Sequence, residues 1–106
     1  MINCLKNFNV EVKANIYFAG NVTSRKIISS DGKAMTLGII LPGEYEFPVE
    51  EKEIVEITSG YAEVLLPDEK EWKGVEKGKS FTVIANSTYK IKSENIVEYL
   101  CSYVKE

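Results

Sequence analysis

Apolar and polar residues alternate along most of this chain with a period of two, the spacing of strands half-buried in a sheet. Val10 and Val12 alternate with polar neighbours and predict a short first strand. A second run covers Ile16 to Phe18 and stops at Gly20. Val22 to Ile28 is rich in β-branched residues and ends at Asp31-Gly32, a hairpin-turn dipeptide. Met35 to Leu41 is almost wholly apolar and is stopped by Pro42-Gly43. Tyr45, Phe47 and Val49 then alternate with Glu44, Glu46 and Pro48, which places the first three on one face. Glu53 to Thr58 and Tyr61 to Leu66 follow, separated by Ser59-Gly60. Pro67-Asp68 opens a charged connection through Lys70 and Glu71 to Trp72, and Gly74 and Gly78 bracket a turn. Phe81 to Ile84, Tyr89 to Lys92 and Ile96 to Val104 complete the series. Strands about every ten residues, without an amphipathic helix, predict an all-β fold, a small sandwich or barrel.

The chain has 106 residues, enough for one core and too few for two, so residues 1–106 are expected to form a single domain. No apolar run reaches the roughly 18 residues that span a bilayer, and Met1 to Lys6 lacks a basic segment followed by an apolar one, so the expected location is cytoplasmic, off the membrane. A net charge of −3 disfavours nucleic acid as a partner. The chain contains no histidine, which removes the commonest general base and metal ligand. Its two cysteines, Cys4 and Cys101, are far apart and cannot build a thiolate zinc site; Cys101 reads as a buried free thiol. Chemistry is left to carboxylates, lysines, the sole arginine Arg25, tyrosines and hydroxyls.

Gly43, Glu53 and Gly60 match the glycine, glutamate and glycine of the first cupin motif. In metal-binding cupins two histidines precede that glutamate; here their places fall on Phe47 and Val49. A second motif would start at Gly78, with its histidine place on Tyr89. Longer strings sharpen the match: Tyr17 to Arg25; Asp31-Gly32-Lys33 with Thr36-Leu37-Gly38; Leu41 to Phe47; Glu53 with Glu56 to Gly60; Leu66-Pro67-Asp68 with Trp72; Ala85-Asn86-Ser87; and Tyr99 to Tyr103. Together, over about residues 15–104, they resemble the small single-domain cupins known as pyrimidine/purine nucleoside phosphorylases. Ile84 stands where that family usually has proline, and Val49 where it usually has threonine. The resemblance implies a cupin-type β-barrel, jelly-roll-like with two antiparallel sheets. It also implies a homodimer and phosphorolysis of purine and pyrimidine nucleosides to free base and pentose 1-phosphate, with nucleoside and inorganic phosphate as the small-molecule partners. No metal and no other cofactor is called for.

The roles within such a site follow from chemistry. Arg25 is the candidate for phosphate, because guanidinium offers a planar fork of donors; the competing reading leaves it on a solvated strand face. Glu53 is the candidate catalytic carboxylate. Placed inside, it needs a partner, and ribose hydroxyls are natural donors to it. Otherwise it is a loop-end glutamate partnered by Lys52 or a backbone amide. Glu56, three residues on, falls on the opposite face. Tyr99, Cys101 and Tyr103 share one face and, with Phe47 and Tyr89, are candidates for an aromatic wall that stacks on any base; core packing is the alternative for each. The alternative function is a non-catalytic, metal-free cupin that binds a small sugar or nucleotide, and a third is a purely structural dimer module. The N-terminal segment around Leu5, Phe8 and Val10 is apolar enough to cover a second subunit.

Overall fold

The alternating pattern becomes eleven strands in the computed structural model, which describes residues 3–105. They are β1 (Phe8–Val10), β2 (Asn15–Tyr17), β3 (Val22–Ser29), β4 (Ala34–Ile40), β5 (Gly43–Val49), β6 (Lys52–Ser59), β7 (Tyr61–Leu65), β8 (Lys73–Glu76), β9 (Ser80–Val83), β10 (Ser87–Ser93) and β11 (Val97–Val104). All pairings are antiparallel. The larger sheet runs β1-β3-β4-β11-β6-β9, with β2 also on β3, so that β1 and β2 lie end to end along the same edge. The smaller sheet runs β5-β10-β7-β8.

The two-sheet, all-β cupin-type architecture is the one expected, but it is not a closed barrel. Among the described residues no ladder joins the two sheets: the larger is bounded by the three- and four-residue strands β1, β2 and β9, the smaller by the four-residue β8 and the seven-residue β5.

Between the sheets lies one apolar core. Val22, Ile40, Val55, Ile57, Val83 and Val97 enter it from the larger sheet, and Val49, Ala62, Val64, Val75 and Ile91 from the smaller. Val55 and Ile57, and Ala62 and Val64, enter two residues apart, since a pleated strand sends every second side chain inward. One strand, β8, falls where the sequence suggests a charged connection and a turn. Its Gly74 pairs with Glu63, and a β-carbon there would sit 2.0 Å from the Tyr61 hydroxyl. The glycine is needed because the Tyr61 ring lies flat across the strand, not because the chain turns. Trp72 just precedes β8 and is covered by the Lys92 ammonium, 4.0 Å from the ring centroid. The first strand also shifts: ladder pairing covers Phe8–Val10, and Val12 lies beyond it, exposed.

Candidate active site

A cavity of about 780 Å³ opens between the sheets, within the usual size range of small-molecule sites. Its floor is the inward face of the larger sheet, where register sets side chains in rows. Lys26 on β3 pairs with Thr36 on β4, Thr36 with Cys101 on β11, and Cys101 with Val55 on β6. One step toward the hydrophobic end, Ser24 pairs with Gly38, Gly38 with Tyr99, and Tyr99 with Ile57. One step the other way, Tyr103 pairs with Glu53.

Gly38 makes this floor low and flat. A β-carbon there would lie 2.3 Å from the Tyr99 ring, so the ring extends across bare backbone toward β3. Ser24, the cross-strand neighbour of Gly38 on β3, accepts a hydrogen bond from Asn15 Nδ2 at 3.3 Å. Asn15 belongs to β2, so the floor is tied directly to the edge that forms one wall.

The opposite wall is aromatic. Phe47 stacks on Tyr89 with ring centroids 5.6 Å apart, and Tyr89 meets Phe81 of the other sheet edge-on at 5.5 Å. Phe18 extends the series at the rim, 5.5 Å from Phe47 and 5.1 Å from Tyr45. Phe18 and Ala19 both hold left-handed backbone, at φ 52° and 55°, in the 3-10 turn Phe18–Gly20. Non-glycine residues rarely adopt that conformation, and two in succession concentrate strain at the cavity mouth.

Burial shapes the titration of the floor. It raises Glu53 above the ordinary carboxylate range, with the adjacent Cys101 thiol offsetting part of the effect. Cys101 is pushed up to about 12, by burial first and then by the negative charge of Glu53. Tyr103 is likewise pushed to about 12, and burial drives Tyr89 and Tyr99 upward as well. At neutral pH the thiol and phenols are therefore uncharged donors, and burial favours the neutral form of Glu53.

Of the site residues named from sequence, Glu53, Phe47, Tyr89, Tyr99 and Tyr103 all line this cavity. Arg25 does not. It lies on the outward face of β3, exposed, with its guanidinium donating to the Val12 carbonyl. The pleat that turns Ser24 and Lys26 inward turns Arg25 out, so Arg25, expected from the sequence inside with Glu53, is not brought to this cavity. Sequence reasoning also missed Glu11, Asn15, Phe18, Lys26 and Thr36, which line the same space. Among the described residues, no three His, Cys, Asp or Glu side chains come together as a metal site, and no helix is long and apolar enough to cross a membrane.

Comparison with known proteins supplies the lineage. The family model for pyrimidine/purine nucleoside phosphorylase matches residues 12–103. The pyrimidine/purine nucleoside phosphorylase of Colwellia psychrerythraea is 43% identical over 99 residues, covering 93% of this chain and 95% of the relative. That of Syntrophotalea carbinolica is 45% identical over 100 residues, covering 94% and 96%. A crystal structure of a protein of unknown function from Acinetobacter sp. ADP1 superposes with a TM-score of 0.93 at 33% identity, covering 95% of this chain and 98% of that one. With a match across nearly its whole length in both sequence and fold, the chain belongs to the pyrimidine/purine nucleoside phosphorylase family.

Proposed function

We propose that the protein cleaves purine and pyrimidine nucleosides with inorganic phosphate inside this cavity. A phosphate oxygen bonds to C1′ of the pentose as the bond from C1′ to the base nitrogen breaks. The electron pair leaves with the base, the proton of hydrogen phosphate passes to it, and pentose 1-phosphate remains. Positive charge builds on the sugar as the bond breaks, as in other glycosyl transfers. The observation that carries this reading is the pairing of a half-buried carboxylate, Glu53, with a wall of stacked aromatic rings in one cavity. Glu53 holds the ribose hydroxyls and, ionised, stabilises the charge that develops on the ring. Phe47 and Tyr89, with Tyr99 and Tyr103 beside them, receive the base by stacking, which tolerates either base class. The family name of the relatives supports the same chemistry.

A second reading has one observation in its favour. Among the described residues the cavity lining carries Glu11, Glu51 and Glu53 against a single cation, Lys26, a balance suited to a neutral sugar or nucleoside held without turnover. One assay separates the two. Purified protein incubated with uridine or inosine should release free base only when inorganic phosphate is present, with pentose 1-phosphate formed in equal amount. Nucleoside binding without phosphate-dependent base release would establish the binding module instead.

The protein is further proposed to work as a two-fold homodimer in the cytoplasm. The outward face of the larger sheet exposes Leu37, Ile39 and Ile54. Across that face, register aligns Arg25, Leu37, Leu100 and Glu56 in one row. A charge of each sign flanking an apolar centre is self-complementary under a two-fold axis. Exposed Leu5 and Val10 of the N-terminal segment extend the apolar area. Light scattering should give twice the chain mass, and Leu37→Glu should halve it.

A further inference from the structure

Phosphorolysis brings a dianion into a cavity whose lining is mainly acidic, so where that dianion can rest is tightly constrained. Among the described residues Lys26 is the only cation of the lining, and Glu11, Glu51 and Glu53 are its carboxylates. The Lys26 ammonium already faces an oxyanion, since its Nζ lies 3.9 Å from Glu11 Oε2. Backbone geometry puts Glu11 there: its N–H donates to the Lys26 carbonyl at 2.9 Å, carrying the β1–β3 ladder one residue further. Both side chains are about half exposed, at 44% and 53%, and an ion pair of that kind is weak and readily exchanged. Thr36 is the cross-strand neighbour of Lys26 on the same face and carries a hydroxyl that can donate. Ser24 and Asn15 stand one row away.

Glu53 is at the other side of the floor. Three inter-strand spacings and one two-residue step separate it from Lys26, roughly 15 Å between backbones. Repulsion from Glu53 favours a dianion at the Lys26 end of the floor.

We infer that Lys26, with Thr36, is the phosphate subsite of the cavity, and that inorganic phosphate enters it by displacing the Glu11 carboxylate. This inference rests on the phosphorylase reading and adds to it both the residue that holds the attacking group and an internal competitor. The ammonium is a compact charge that accepts phosphate from several directions. Glu11, occupying the same place in the free protein, sets how much phosphate is needed to fill it.

Steady-state kinetics with inorganic phosphate as the varied substrate tests this. Lys26→Met should raise the phosphate KM at least about tenfold and leave the nucleoside KM within about twofold. Glu11→Gln should lower the phosphate KM by about two- to threefold, because the competitor is gone. Lys33→Ala, in the shallow recess adjoining the cavity, should change neither constant. An unchanged phosphate KM in folded Lys26→Met overturns the subsite while leaving the phosphorylase reading intact. If Lys26→Met does not fold, Glu11→Gln decides alone, and an unchanged phosphate KM there overturns the displacement. If the native protein releases no base from any nucleoside, the phosphorylase reading fails, and phosphorus NMR titration of the native chain with inorganic phosphate judges the subsite. Binding abolished by Lys26→Met and strengthened by Glu11→Gln sustains it; binding that ignores both changes, or no binding at all, overturns it.

Discussion

The same four strands build two different environments between the sheets. At one end, Val22 of β3, Ile40 of β4 and Val97 of β11 lie in one row, none more than 3% exposed, with Ile57 of β6 completely buried nearby. Two rows along, those strands present Lys26, Thr36 and Cys101, and β6 ends in Glu53. Between them, Gly38 and Tyr99 form the boundary. A strand costs the same backbone entropy to order whether its inward residues are valines or lysines. The dry rows therefore supply the stabilisation that lets the polar rows stay open. The contrast teaches that this fold holds its site as an extension of its core, by changing residue type along continuous strands rather than by grafting loops onto a finished sandwich.

That comparison can be broken most forcefully at the dry end. Ile57→Ala should lose roughly 2–5 kcal/mol of stability, read from urea unfolding, because it empties a fully buried position. At the polar end, Glu53→Gln should leave the fold intact and lower turnover by about 100-fold on purine and pyrimidine nucleosides alike, since the sugar is common to both. Near-native turnover on both classes by the folded variant would remove Glu53 from the mechanism.

The same variant sharpens the comparison through pH. Burial raises the Glu53 pKa in the folded state, so its neutral form stabilises the protein below the ordinary carboxylate range, and that contribution is lost as pH rises through the raised value. Glutamine stays neutral throughout. The melting temperature of Glu53→Gln should therefore exceed that of the parent at pH 7 and converge with it near about pH 4. A smaller effect is expected at the rim. Phe18→Ala should raise the nucleoside KM by about fivefold or more through lost stacking, with the phosphate KM unchanged. The smallest expected effect is none: prolonged chelation should leave activity unaltered, because the three places where metal-binding cupins carry histidine are Phe47, Val49 and Tyr89.

Much of the scaffold is legible in the sequence because alternation and turn dipeptides act locally. The pairs Asp31-Gly32, Pro42-Gly43 and Ser59-Gly60 each fall at a strand boundary. Gly74 misleads, because a glycine that admits a tyrosine ring from the neighbouring strand β7 reads the same as one that turns the chain. The cavity residues divide along a similar line. Tyr45, Phe47 and Val49 alternate cleanly with polar neighbours, so the inward side of β5 is fixed by the pattern. In β3 both parities carry apolar residues, Val22 and Ile28 on one and Ile27 on the other, and Ile27 is 2% exposed despite sharing the face of Arg25. Hydrophobicity there gives no phase, which leaves the choice between Arg25 and Lys26 open until β3 is paired with β4. Glu11 and Asn15 were illegible for a different reason: they reach the cavity through edge pairing with β3, Asn15 with Ser24 nine residues on and Glu11 with Lys26 farther still.

The end-to-end arrangement of β1 and β2 along one edge has a kinetic consequence. Each is three residues long and bonded on one side only, whereas β3, β4, β11 and β6 are longer and, apart from the short partners of β3 and β6, paired along both edges. Local opening free energies follow such differences, with short edge segments lowest and central strands approaching the global value. Amide deuterium uptake should therefore be fast at Asn9 to Tyr17 and slow at Leu37 to Ile40 and Val97 to Tyr103. The side of the cavity that carries Glu11, Asn15 and Phe18 should therefore open locally more readily than its floor, without unfolding the sandwich.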